Sequence, residues 1–303
     1  MIAQENPGNR PTAWTARLAS VVERIAATPG DHRTALPALT LHRRNRPSQP
    51  VHCIYTLGLA VTVQGTKRVL LGERQHVYGP GQSLLTTIDL PVSYHVTHAS
   101  AAEPFLGIML KLERSLIIQA ASGFDGGPPA KAPGSPLSLQ RLNAPVLDAL
   151  HRMINLLDEP SLLPQLAPLI EQEIVVRLLA GPHGPHLRNL ANATSPERRI
   201  DQTVGWLREH FAEQTRVGDL AERANMSETT FRHHFRTITG MSPLQFQKLL
   251  RLQEARQLML ERNMSAGTAS ALVGYESVSQ FSREYRRLFG APPLTDIRKA
   301  LSH

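Results

Sequence analysis

Hydrophobic positions change their period several times along this chain. Over residues 13–27, Leu18, Val21, Val22 and Ile25 recur at helical spacing, and Pro29-Gly30 stops the pattern. From Leu57 the period becomes two: Leu57, Leu59, Val61 and Val63 alternate, as the inward residues of a half-buried strand do. Further short strands are predicted at 67–71, 83–88, 93–97 and 105–112, the last with Leu106, Ile108, Leu110 and Leu112 on one face. Gly65, Gly72, Gly79-Pro80-Gly81 and Pro91 mark the turns between them. Short strands at this spacing predict a small barrel or sandwich. Helical spacing returns at 113–121, 139–157 and 162–180, with a Gly- and Pro-rich loop over 123–136. The stripes of the last two helices (Leu142, Val146, Leu150, Ile154 and Leu157; Leu166, Leu169, Ile170, Ile174 and Leu178) suit either a cover for the barrel or a contact between two subunits. Pro182 and Pro185 end the second stripe, and a linker is expected up to residue 194. Ser195-Pro196 then opens a helix with cap and proline in the preferred order.

The last third holds one pattern written twice. Ser227, Phe231, Phe235, Arg236, Gly240 and Pro243 are repeated 50 positions later as Ser277, Phe281, Tyr285, Arg286, Gly290 and Pro293, and the same subtraction pairs Ala221 with Ala271. Ser227 and Ser277 are good N-caps, Gln280 completes a capping-box pattern, and Gly240 and Gly290 suit C-caps. Aromatics four apart face a core, while Arg232, His233 and Arg236 in the first copy, and Arg283, Arg286 and Arg287 in the second, fall on other faces. Each copy is a short helix, a turn and a capped basic helix, the layout of a helix-turn-helix. A long helix over 243–261, with Phe246, Leu249, Leu252, Ala255 and Leu258, sits between the units and sets their separation.

These residues resemble the DNA-binding domain of AraC/XylS-type transcription regulators. The likeness covers roughly 197–300 and is carried by Leu220-Ala221, Ser227, Phe231, Phe235, Gly240, Ser242-Pro243, Arg251, Val273-Gly274-Tyr275, Ser277, Gln280-Phe281 and Phe289-Gly290. Pro292, where Ser is usual, and the weak helix formers Gly267 to Ser270 depart from the pattern. Residues 39–112, through the run Val63 to Gly72, Tyr78, Asp89-Leu90-Pro91 and Pro104 to Leu110, resemble the cupin-like N-terminal domain of one subgroup. The resemblance implies that Thr229, Arg232 and His233, and then Ser279, Gln280 and Arg283, reach base edges in the major groove. It implies phosphate contacts for Ser227, Arg236, Ser277, Arg286 and Arg287, and effector sensing or subunit pairing for the N-terminal domain.

Composition narrows this less than the motifs do. The net charge of +8 suits a polyanion partner, but 16 Lys+Arg against 12 Asp+Glu lie beyond residue 195, so each part holds half of the excess. Placement of the arginines on the capped helices, not net charge, selects the DNA-binding part. No apolar run reaches the ~18 residues of a membrane span. Residues 1–11 lack the apolar centre of a signal peptide, and a single cysteine, Cys53, suits a reducing cytoplasm. Cys53, Tyr55, Tyr94 and His95 are candidates for an effector pocket, each fitting core or rim equally well, and a buried, inert thiol is favoured for Cys53. His52, His76, His95 and His98 lack the close His-x-His pair of enzymatic cupins, so no metal is expected. Nucleophile and phosphate-loop signatures are absent.

The expected protein is α+β: a cupin-like β-barrel with flanking helices over 1–194, then an all-α domain over 195–303 with helix-turn-helix units near 217–240 and 265–290. It is a sequence-specific transcription regulator, not an enzyme, with no cofactor. Its partners are double-stranded DNA, an unidentified small-molecule effector, RNA polymerase if it is an activator, and a second copy of the chain. The alternative is a cupin enzyme or small-molecule binder with a C-terminal targeting module, which stoichiometric metal would favour.

Overall fold

The computed structural model describes residues 12–124 and 135–301, so the reading of 1–11 and most of the expected 123–136 loop lie outside the described residues. The chain starts with α1 (Ala13–Ile25), followed by β1 (Gly30–Arg33), β2 (Leu39–Arg44), β3 (Val51–Tyr55), β4 (Gly58–Gln64), β5 (Thr66–Leu71), β6 (Arg74–Tyr78), β7 (Gln82–Thr86), β8 (Leu90–His98) and β9 (Phe105–Lys111). Next come α2 (Arg114–Ser122), β10 (Leu137–Arg141), α3 (Ala144–Asn155), α4 (Leu163–Ala180) and α5 (Gly184–Ala191). The rest is helical: α6 (Pro196–Glu209), α7 (Val217–Arg223), α8 (Glu228–Thr239), α9 (Pro243–Glu261), α10 (Ala266–Leu272), α11 (Val278–Phe289) and α12 (Pro293–Leu301). None of the described helices is long and apolar enough to cross a membrane.

The α+β class is as expected, but the barrel is open. Two antiparallel sheets, ordered β1-β2-β9-β4-β7-β10 and β3-β8-β5-β6, face each other, and no ladder joins them among the described residues. The larger sheet alternates cleanly. Leu39, Leu41, Leu59, Val61, Leu106, Ile108 and Leu110 point to one side, where α1 to α5 cover them. Ala60, Leu84, Met109 and Leu137 point the other way, into the sandwich.

The hydrophobic pattern missed β1, β2, β3, β6 and β10, of which two are polar throughout most of their length. β1 reads Gly-Asp-His-Arg and β6 reads Arg-Gln-His-Val-Tyr, both on sheet edges where alternation is not enforced by burial. Two expected boundaries also change. The helix expected over 139–157 begins at Ala144, because Asn143 caps it by accepting from the Val146 N–H at 3.2 Å, and Leu137 to Arg141 instead pair with β7. The expected linker contains α5, with Leu187 and Leu190 buried in the same core as α4.

His183, placed in that linker by the sequence, is buried and joins α5 to the large sheet. Its Nε2 lies 2.8 Å from Ser83 Oγ and its Nδ1 3.0 Å from Ser138 Oγ. The Ser83 hydroxyl also donates to the Gln140 carbonyl, which assigns the ring proton to Nε2 and leaves Nδ1 as acceptor for Ser138. Desolvation, helped by nearby His186, lowers the His183 pKa to about 4. The unfolded chain therefore takes up a proton near pH 6.5 that the folded chain refuses until about pH 4. Stability from this group is complete above pH 6.5 and is lost as pH falls through that window, on the order of 3 kcal/mol in all. Urea titrations at pH 7, 5.5 and 4.5 should show this slope, and His183→Asn should flatten it.

Candidate nucleic-acid interface

Each helix-turn-helix unit is built from local rules. Ser227 accepts from the Thr230 N–H and Ser277 from the Gln280 N–H, both at 3.3 Å, capping α8 and α11. Both helices end in left-handed glycines, Gly240 at φ +76° and Gly290 at φ +80°. Behind the caps, Phe231, Phe235, Phe281 and Tyr285 are fully buried. The Gln280 half of the expected capping box does not form, since its amide reaches Glu284 Oε1 at 3.3 Å instead.

The repeat is not a constant 50 residues. The turn N–H of Asn225 bonds the Glu222 carbonyl, and that of Gly274 bonds the Ala271 carbonyl, so the first helices and turns correspond at an offset of 49. The αL position is Asn225 in one unit and Gly274 in the other. Ala221 is thus equivalent to buried Ser270, not to exposed Ala271. The second unit carries one more residue between turn and cap, which restores the offset of 50 at Ser277. A sequence comparison keyed to the recognition helices could not see the slip.

α9 holds the two units together by polar bonds as well as burial. Arg251 Nε donates to the Phe211 carbonyl at 2.6 Å, and its terminal nitrogens donate to the carbonyls of Ala212, Glu213 and Gly274. Gln247 Nε2 donates to Phe211 and Glu213 carbonyls nearby. The backbones meet so closely that a Cβ on Gly274 would lie 2.1 Å from the Ala212 oxygen. Gly274 therefore serves both φ +83° and the approach of the two units.

All six base-contact candidates, Thr229, Arg232, His233, Ser279, Gln280 and Arg283, are solvent-exposed, as are Ser227, Arg236, Ser277, Arg286 and Arg287. They are not equally available. Arg232 Nε donates to Glu228 Oε1 at 3.0 Å one turn back, a pairing the sequence reading did not consider. Glu284 gathers the Tyr275 hydroxyl at 2.7 Å, Lys248 Nζ at 3.0 Å and the Gln280 amide, so Gln280 is drawn along its own helix. Arg283 forms no ion pair among the described residues and projects unencumbered.

The N-terminal domain reaches this face. The β5–β6 turn packs on the end of α8, where a Cβ on Gly72 would lie 2.9 Å from the Gly240 oxygen. A cleft of about 840 Å³ opens beside this contact, lined by Glu73 of the turn, Arg74 at the start of β6, His233 and Arg236 of α8, and Arg287 of α11. Gln253 Nε2 on α9 donates to the Cys53 carbonyl at 3.2 Å, the His52 ring meets Phe289 edge-on at 5.3 Å, and Arg208 pairs with Asp89.

The effector candidates divide by strand alternation. Cys53, Tyr55 and Tyr94 share the inner face of the small sheet with Val92 and Leu90, whereas His95 pairs with Arg68 and turns outward. His95 is thus removed from the pocket reading. Burial pushes the Cys53 thiol up to about 12, which makes it a poor nucleophile. The hydrophobic pattern gave no sign of Lys67 and Tyr78, which are buried on the same inner face.

Comparison with known proteins agrees with this architecture. The family model described as the AraC-type transcriptional regulator N-terminus matches residues 35–186, half of the chain, and a helix-turn-helix domain model matches residues 220–299. The chain is 28% identical over 182 residues to the HTH-type transcriptional activator RhaS of Salmonella schwarzengrund, covering 60% of this chain and 64% of that protein. It is 29% identical over 130 residues to the HTH-type transcriptional regulator ExsA of Pseudomonas aeruginosa, covering 43% and 46%. Both matches span less than two thirds of the relative's length. In fold, it is similar to an apo ToxT from Vibrio cholerae, with a TM-score of 0.57 over 88% of this chain and 98% of that one, at 8% identity. With the matched model spanning half of the sequence and the paired, capped helices in place, the chain belongs to the AraC-type transcriptional regulators.

Proposed function

We propose that the protein regulates transcription by reading two successive major grooves of double-stranded DNA with α8 and α11, under the control of its N-terminal domain. Residues 1–194 serve as the regulatory part and 195–303 as the DNA-binding part. The observation that carries the reading is the doubled unit. Two capped helices, each anchored by buried aromatics, present exposed polar and basic rows and are fixed to one another by Arg251, Gln247 and Gly274. A lone basic helix is usually a solvated face; two in register on one rigid connector make a groove-spacing device. Thr229, Arg232, His233, Ser279, Gln280 and Arg283 are the base-contact set, and Ser227, Arg236, Ser277, Arg286 and Arg287 the phosphate set. Control by the N-terminal domain is supported by the β5–β6 turn, which shares its cleft with Arg236 and Arg287, the space a DNA backbone has to enter. Activation, and with it an RNA polymerase contact, follows the relative RhaS, named as an activator.

Arg283, unpaired and exposed, can give two hydrogen bonds to guanine, so Arg283→Ala should cost ~1–3 kcal/mol and relax preference at one base pair. Arg286→Ala should weaken all sequences alike and lower the salt slope by about one. Arg232→Ala should cost less than Arg283→Ala, because its guanidinium must first leave Glu228. Binding of each variant to a randomised operator library orders these effects. Uniform weakening by Arg283→Ala, with sequence preference intact, would contradict the assignment.

A second copy of the chain is the partner we assign to α4. Of its expected stripe, Ile170, Ile174 and Leu178 are buried inside the chain, whereas Leu166 and Leu169 are exposed and continue with Leu162 and Val176 along the outer face. Leu169 is 61% exposed, unusual for a leucine at mid-helix between apolar neighbours. Sedimentation of the full chain at micromolar concentration should show a dimer that Leu169→Asp dissociates; a wild-type monomer ends the idea.

A further inference from the structure

The interior of the sandwich holds an arrangement that packing alone does not explain. Lys67 faces inward on β5, paired across the ladder with Tyr78 on β6, and is only 8% exposed. Its ammonium lies 4.0 Å from the Tyr94 ring centroid and 5.3 Å from that of Tyr55. Among the described residues it makes no ion pair and no hydrogen bond. The Tyr55 and Tyr78 hydroxyls are buried side by side, within reach of each other, and neither has a hydrogen-bond partner of good geometry among the described residues. A buried ammonium without an ion-pair or hydrogen-bond partner, beside two hydroxyls that can at most satisfy each other, is a costly combination that a core selected for stability alone would avoid.

We propose that this cluster is a binding site for a small organic monocarboxylate, held by Lys67 with the Tyr55 and Tyr78 hydroxyls as donors, and that this is the ligand class the regulatory domain senses.

The surroundings favour an anion and limit its charge. The acids near Lys67 are Asp31 and Cys53. Asp31 is already engaged by His42 Nδ1 at 2.7 Å and Arg44 Nη2 at 2.5 Å. The thiol of Cys53, raised by burial, is neutral at pH 7 and offers no counter-charge. Burial also holds all three phenols protonated, so Tyr55 and Tyr78 can donate to a carboxylate but cannot themselves neutralise the ammonium. The same desolvation brings the Lys67 pKa down to about 8, a penalty that an incoming carboxylate would relieve. One free cation matches one negative charge. Around it, Val69, Val92 and Met109 supply apolar surface for a short organic body rather than a hydrated dianion. The cation–π contacts with Tyr94 and Tyr55 offset part of the cost in the unliganded chain.

This inference rests on the proposed regulatory role of the N-terminal domain, so the test reads binding separately from DNA. The full chain is melted with increasing acetate, butyrate, hexanoate and phenylacetate, and with the corresponding uncharged amides at equal concentration and ionic strength. At least one acid should raise the midpoint by about 2 °C or more, growing with the logarithm of concentration, while its amide does not. Lys67→Met should abolish that response and melt higher than wild type without ligand, since it removes an unpaired buried charge while keeping volume. Tyr78→Phe, which loses only the donor, should weaken the response several-fold and covers the case in which the lysine variant misfolds. Four acids acting no better than their amides, or an acid response that survives both substitutions, would overturn the site. DNA binding by the same preparations, retained in either case, separates failure of this site from failure of the regulator reading.

Discussion

One buried apolar cluster runs without a break from the inner faces of the sandwich into the first helix-turn-helix unit. Tyr55, Val69, Leu71, Tyr78 and Leu90 belong to it, and so do Ile200, Leu207, Leu220, Phe231, Phe235 and Phe246. Burial of apolar area is the largest favourable contribution to folding, so the N-terminal domain and the first unit stabilise each other. The second unit differs. Phe281, Tyr285, Leu252 and Met259 form a separate core, linked to the rest chiefly through α9 and its polar bonds to the 211–213 loop. The sandwich shares its core with the first unit and meets it at the β5–β6 turn, where Gly72 and Gly240 allow backbones to touch, while its contact with the second unit is the ring pair of His52 and Phe289.

The parts of this fold that were legible in the sequence are those in which burial dictates a period. The aromatic pairs of α8 and α11, their serine caps and their terminal glycines carry strong local signals, and the structure places each as read. The alternation through Leu59, Val61, Leu106 and Ile108 likewise marks a sheet with one face under helices. What escaped is set by tertiary context. β1 and β6 are polar because they lie at edges. β10 was absorbed into a helical stripe although Asn143 and Pro145 announce the true start of α3. α5 was hidden by prolines that open it rather than end its predecessor. The one-residue difference in the turns was invisible because the most conspicuous matches all follow it.

Site residues follow the same division. A recognition helix is defined by local rules, so its exposed row could be named in advance. Which of those side chains is free depends on Glu228 and Glu284, and their effect appears only once helical neighbours are placed. In the sandwich, strand parity decides: Cys53, Tyr55 and Tyr94 face inward, His95 outward, and Lys67 joins the inner set although lysine is among the residues least often buried. His183 and Lys67 show two answers to the cost of a buried base. His183 is neutral and satisfied by two serine hydroxyls; Lys67 has only aromatic rings beside it, with no ion pair or hydrogen bond among the described residues.

The proposed regulation of transcription depends on two recognition helices acting from one chain at a fixed spacing. Guanine-methylation interference on an operator selected with the full-length protein measures that spacing. The expected pattern for each bound chain is two clusters of interfering guanines on one face of the duplex, their centres about 34 Å apart, with Arg283→Ala erasing signal from one cluster alone. A single cluster per chain, or two that vanish together with that substitution, would contradict it.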